Sequence, residues 1–156
     1  MPILYVLVGI QGAGKTTWAR TNAVLLDAVV VASDDIRNEL EATGVDPTHE
    51  GDRVFAIFEE RVARLLDAGR NVIADATHAR GQWRANILAI ARQRGARRVA
   101  IWFDLPLALC RARNAQKPGG PLWGNRVVAE AVLQDVWRSF EPPLADEFDE
   151  IRIIRQ

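Results

Sequence analysis

Eight residues near the amino terminus, Gly9-Ile10-Gln11-Gly12-Ala13-Gly14-Lys15-Thr16, have the types and spacing of a phosphate cradle, G-x-x-x-x-G-K-[ST]. An apolar run, Ile3 to Val8, leads into them, and Thr17-Trp18-Ala19-Arg20 opens a helix-like stretch after them. Gly9, Gly12 and Gly14 let the backbone wrap closely around a phosphate. The N–H groups of Gln11, Ala13 and their neighbours, up to Thr17 at the helix N-terminus, then face the anion. Lys15 reaches the β- and γ-phosphates as a point charge, and the Thr16 hydroxyl ligates Mg²⁺. The stretch therefore predicts a nucleoside triphosphate site, with ATP and Mg²⁺ as the expected cofactors.

Other residues extend the chemistry. Ser33-Asp34-Asp35-Ile36-Arg37 follows a β-branched run, Val29 to Ala32. Carboxylates at the carboxyl end of a strand in an open α/β sheet lie on the ligand-binding edge. Asp34 or Asp35 can act there as general base for a substrate hydroxyl, with Arg37 clamping a substrate phosphate. The competing reading is that Ser33 or Asp34 caps the following helix. Asn71-Val72-Ile73-Ala74-Asp75 ends in a carboxylate that can hold Mg²⁺, and a plain strand-end aspartate fits the same pattern. His78, just beyond, is a candidate for the acceptor pocket. Lys117-Pro118-Gly119-Gly120-Pro121-Leu122-Trp123-Gly124 is the richest in glycine and proline, flanked by Arg111, Arg113 and Arg126. A cation-edged flap over a triphosphate site is a lid, expected at about 111–126, that closes to exclude water and stabilise transferring charge.

The elements that must position these groups alternate. Strands are expected at Ile3–Val8, Val29–Ala32, Asn71–Asp75, Arg98–Asp104 and Ile151–Ile154. Helices are expected at Lys15 to about Leu26, Ile36 to about Glu41, about Gly51 to Ala68, Arg80–Arg94, after Pro106, and Val127 to about Phe140. The third carries an apolar stripe, Val54, Phe55, Ile57, Phe58, Val62, Leu65 and Leu66, that reads as packing. The fourth is expected to turn Trp83, Ile87, Leu88, Ile90 and Ala91 inward. This order predicts an α/β P-loop NTPase fold: one domain over residues 1–156, a five-stranded parallel sheet with helices on both faces, and a small lid.

The chain of 156 residues is 49% hydrophobic and 26% charged, ordinary for a soluble globular domain. It has no apolar run of transmembrane length and no visible signal peptide, so a cytoplasmic location without membrane partners is expected. Cys110 is the single cysteine and sits among apolar residues, which predicts a buried thiol. Net charge is zero, yet residues 79–117 hold 9 basic and 1 acidic side chains. Such a block can supply an anion-binding face, or it can be a solvated helix with scattered arginines, the reading favoured for Arg92, Arg94, Arg97 and Arg98. Zero net charge argues against high-affinity, non-specific nucleic-acid binding. No Asn-Lys-x-Asp guanine motif is present, and the chain is short for a motor ATPase, so phosphoryl transfer to a small or terminal hydroxyl is the class that fits.

Gly-Lys-Thr-Thr-Trp-Ala-Arg at 14–20, Asp34-Asp35-Ile36-Arg37, Asp75-Ala76-Thr77-His78, Phe103-Asp104-Leu105-Pro106 and Arg113-Asn114 together resemble the kinase domain of phage-type 5′-hydroxyl polynucleotide kinase and the wider group of small P-loop kinases. The resemblance implies Asp34 as general base, Arg37 holding the phosphate beside the acceptor hydroxyl, Lys15 and Thr16 serving ATP and Mg²⁺, and Arg113 gripping the nucleotide phosphates. The transition-state arginine of that family falls on Lys117 here, so Lys117, or Arg126 from the other side of the loop, takes that role. The implied acceptor is the 5′ end of RNA or DNA. The alternatives are a small-molecule acceptor on the same scaffold and a nucleotide-binding module without transfer.

Overall fold

The computed structural model describes residues 1–155. The apolar runs form β1 (Ile3–Val8), β2 (Ala28–Ala32), β3 (Asn71–Asp75), β4 (Arg97–Phe103) and β5 (Glu150–Ile154). All pair in parallel, in the order β2-β3-β1-β4-β5. β1, at the centre, is buried on both faces, as a continuous apolar run requires. The helices are α1 (Lys15–Asn22), α2 (Ser33–Ala42), α3 (Gly51–Asp67), α4 (Gly81–Gln93), α5 (Leu107–Ala115) and α6 (Glu130–Arg138). Short 3-10 turns occupy Pro47–His49 and Trp123–Asn125. Two apolar clusters line the sheet, one including Val54, Phe58, Val62 and Leu66 of α3, the other Ala19 of α1 and Leu133 of α6. The predicted order of strands and helices holds throughout, and the parallel sheet is the α/β arrangement expected.

Four details differ. α1 stops at Asn22 rather than Leu26, because Asp27 adopts a left-handed conformation (φ 47°) and Ala28 donates back to the Ala23 carbonyl at 2.9 Å. α2 begins at Ser33, directly at the strand end; its N-cap is Ala32, with no side-chain cap, so neither Ser33 nor Asp34 caps it. α6 begins at Glu130 rather than Val127, because the buried Asn114 side chain engages both the N–H (3.0 Å) and the carbonyl (2.8 Å) of Val128. Trp83 points outward at 41% exposure; the place inside α4 belongs to Arg84, at 1%.

Arg84 is the largest of the fully buried side chains. Its guanidinium donates to both carboxylate oxygens of Glu147 (3.1 and 2.9 Å) and to the carbonyls of His78 (2.9 Å) and Glu141 (2.8 Å). It thus ties the 141–147 segment to α4. Removing one partner strands a buried charge, which costs about 3–5 kcal/mol. Glu147→Ala is therefore expected to lower urea stability by that order, and Arg84→Met by less per atom removed because no lone cation remains; equilibrium unfolding of both variants checks the ordering. Elsewhere the cationic middle third is consumed in surface ion pairs, Arg94 with Asp67, Arg97 with Glu150 and Arg98 with Asp149, as the solvated reading expects. Cys110 is buried. Among the described residues no helix is long and apolar enough to cross a membrane.

Candidate active site

The carboxyl ends of β1, β2 and β3 open into one cleft of about 1950 Å³. β1 delivers the glycine loop, whose conformation depends on Gly12 and Gly14 at φ 82° and 91°. An added Cβ at Gly12 would lie 2.2 Å from the Cys110 carbonyl oxygen. That glycine therefore makes room for the backbone of α5, a reason beyond the phosphate approach read from sequence. Lys15 Nζ donates to the Ile10 carbonyl at 2.8 Å, and Arg113 Nη1 reaches across from α5 to the Ala13 carbonyl at 3.3 Å. Gln11, Gly12, Ala13, Gly14, Thr16 and Thr17 line the cleft as expected; Gly9 lies beneath it, against Phe103.

β3 delivers Asp75, whose Oδ2 accepts the Thr16 hydroxyl at 2.8 Å. Burial raises the pKa of its carboxyl, while the Thr16 hydrogen bond and Lys15 oppose the shift. A hydroxyl and a carboxylate side by side at the loop's end are the hard oxygen donors that Mg²⁺ takes alongside phosphate oxygens. Burial lowers Lys15 to about 8, despite the nearby Asp75 carboxylate. Phosphate binding requires the ammonium, so its charge is half lost in the free protein near that pH. ATP affinity is therefore expected to hold below pH 8 and to fall above it, approaching about tenfold per pH unit. Titration with a fluorescent ATP analogue between pH 6.5 and 9.5 checks the sign; a flat profile would remove Lys15 from phosphate binding.

β2 delivers Asp34 in the first turn of α2, one turn before Arg37, whose Nη1 donates to Asp34 Oδ1 at 3.0 Å. The charge of Asp34 is felt by Lys15, Asp75 and Lys117, so the four groups share one locality. Asp35 is exposed and also borders the groove beside the β2 edge. The two lid cations expected as alternatives separate. Lys117 is partly buried, its pKa lowered by that burial and raised by Asp34, and it is close enough to repel Lys15. Arg126 turns to α2 instead, pairing with Glu41 at 3.2 Å and stacking on Trp123 at 4.1 Å.

His78 borders the cleft, but it is 3% exposed and packs on Phe58. Its Nδ1 carries the proton donated to the Leu7 carbonyl at 3.0 Å, and burial pushes its pKa down to about 4. It is a core histidine. Sequence reading missed Phe55 and Trp123, whose rings lie 5.9 and 5.6 Å from the Arg37 guanidinium. Phe55 was counted with the packing stripe of α3, yet it lines the cleft; an aromatic in the glycine-rich lid was the available signal for Trp123.

Comparison with known proteins supports this arrangement. The family described as AAA domain matches residues 4–143. Over 89 residues the chain is 38% identical to the Mycobacterium tuberculosis protein Rv2004c, covering 49% of this chain and 18% of that protein. The chain thus spans less than a fifth of the curated relatives it matches. Chaetomium thermophilum Kti12 in complex with ADP-AlF3 superposes with a TM-score of 0.79 at 14% identity, covering 97% of this chain and 88% of that one. The Mycobacterium tuberculosis APS kinase CysC, in complex with AMPPNP and APS, gives 0.67 at 17% identity, covering 97% and 88%. The Pnkp1/Rnl/Hen1 complex gives 0.62 at 25% identity, covering 83% and 43%. The fold is that of the P-loop kinases.

Proposed function

The chain belongs to the AAA domain family, and from that membership and the geometry of the cleft we propose that it is an ATP- and Mg²⁺-dependent kinase acting on a hydroxyl, with the 5′-hydroxyl end of RNA or DNA as acceptor. The observation that carries the reaction class is the meeting of Lys15, Asp34, Asp75 and Lys117 at one sheet edge. Asp34 accepts the proton of the acceptor hydroxyl as its oxygen bonds to the γ-phosphorus and the bond to the β-phosphate oxygen breaks, leaving ADP. Arg37 holds the acceptor's neighbouring phosphate. Lys15 and Lys117 neutralise charge on the transferring group, and Arg113 grips the nucleotide from α5. Thr16 and Asp75 would hold Mg²⁺, which supplies charge neutralisation between the β- and γ-phosphates. We read residues 1–156 as one kinase domain with its lid at about 111–126.

The width of the cleft supports a strand end as acceptor, since it continues past Asp34 and Arg37 to the exposed Trp83. A second reading, a small-molecule kinase, draws on the same wall: Asp52, Glu59, Gln82 and Asn86 line it and offer a polyanion no cation. Transfer from γ-labelled ATP decides between them. Acceptors are a 5′-hydroxyl oligonucleotide, its 5′-phosphorylated counterpart and a panel of sugars and amino alcohols. Label on the 5′-hydroxyl strand alone is the expected result. Label on a small alcohol alone would move the assignment to the second reading, and ATP binding without transfer to any acceptor would overturn both.

A further inference from the structure

The two ends of the lid have different partners. At its start, Arg113 meets the nucleotide loop through the Ala13 carbonyl. At its tip, the backbone N–H of Trp123 donates to Asn38 Oδ1 at 2.9 Å, and Arg126 pairs with Glu41. Asn38 and Glu41 both belong to α2, the helix that carries Asp34 and Arg37. The indole of Trp123 lies between two guanidiniums, Arg37 at 5.6 Å and Arg126 at 4.1 Å, and Phe55 borders Arg37 at 5.9 Å. Its Nε1 is buried and has no hydrogen-bond partner among the described residues. Buried indole N–H groups are ordinarily satisfied, so an orphan beside the acceptor-holding arginine calls for a ligand acceptor atom.

We propose that Trp123 is a specificity-determining residue for the acceptor: it latches the lid tip to α2 and donates its indole N–H to an oxygen of the acceptor molecule. The inference rests on the phosphoryl-transfer reading above and adds the assignment of the lid tip to the acceptor rather than to ATP. The ring and the N–H have separable tasks. The ring stacks on Arg37 and Arg126, fixing Arg37 beside Asp34. The N–H reads the acceptor, and a phenyl ring keeps the stack without it.

Two measurements test this. Amide hydrogen exchange needs no acceptor: the Trp123 amide is expected to be protected in the free protein, to lose protection in Asn38→Ala and Trp123→Leu, and to keep it in Trp123→Phe. Free exchange in the unsubstituted protein would overturn the latch. Steady-state kinetics use the 5′-hydroxyl oligonucleotide (dT)10 as probe. Trp123→Phe is expected to raise its KM about tenfold, the loss of one hydrogen bond, with the Kd of an ATP analogue unchanged. An unchanged KM, or an equal loss of nucleotide affinity, would overturn the acceptor assignment. Failure of the unsubstituted protein to phosphorylate (dT)10 would instead overturn the strand-end reading, and exchange protection alone would then decide the latch.

Discussion

Replacing Asp34 with alanine is expected to lower kcat by about 10²–10⁴-fold, the range a positioned general base supplies, while ATP affinity stays unchanged or rises slightly. The separation follows from where the residue sits. Asp34 stands on α2, and its recorded hydrogen-bond partner is Arg37, not the glycine loop. The groups placed to hold ATP, namely Lys15, Thr16 and Arg113, come from α1 and α5. Removing a carboxylate whose field reaches Lys15 takes a negative charge away from the phosphate site, so binding does not suffer. Asp34→Asn is the sharper variant, because it retains an oxygen for Arg37 and removes only the proton acceptor. Single-turnover transfer measured beside titration with a fluorescent nucleotide checks both halves. Loss of nucleotide binding in step with loss of transfer would make Asp34 a structural residue.

Gly12→Ala is expected to abolish nucleotide binding and to cost the fold several kcal/mol. Two penalties add. A non-glycine residue at φ 82° costs about 1–3 kcal/mol. The new Cβ also meets a backbone carbonyl, that of Cys110, at 2.2 Å, and this atom has no rotamer by which to withdraw. Either the loop or α5 must shift, and α5 carries Arg113, so the cradle loses its shape and its crossing arginine together. Gly9→Ala is the control. Its Cβ would meet the Phe103 Cβ at 3.0 Å without a positive φ, so a loss of about 1 kcal/mol is expected. Urea denaturation and nucleotide titration of the pair check the contrast; equal effects would remove the α5 contact from the explanation.

The order of elements was legible because it rests on local pattern. β-branched runs of five or six residues ending in glycine or aspartate give the strands, and α3 carries its stripe at helical spacing. The phosphate cradle was legible for the same reason, since its residues are contiguous. The errors arose where a distant partner decides a local matter. Asn114 holds Val128 out of α6, and Arg84 takes the inward place on α4 because Glu147, 63 residues later, meets it there. Arg126 and Lys117 were equivalent in sequence and became distinct only through Glu41 on α2. His78 fell at an acceptor-side position in the motif but belongs to the core, where a left-handed backbone (φ 48°) sets its ring on Phe58.

The clasp of Asn114 on Val128 has an evolutionary consequence. Because one buried side chain joins the residues on either side of it, the 115–127 excursion leaves and re-enters the body at a single point. Lengthening such a loop costs only about 0.6 kcal/mol per doubling. The excursion can therefore be exchanged between relatives like a tool in a chuck: the grip stays with the body, while length and tip residues are free to diverge. New substrate ranges can arise there by insertion and deletion, without renegotiating the sheet or the phosphate cradle.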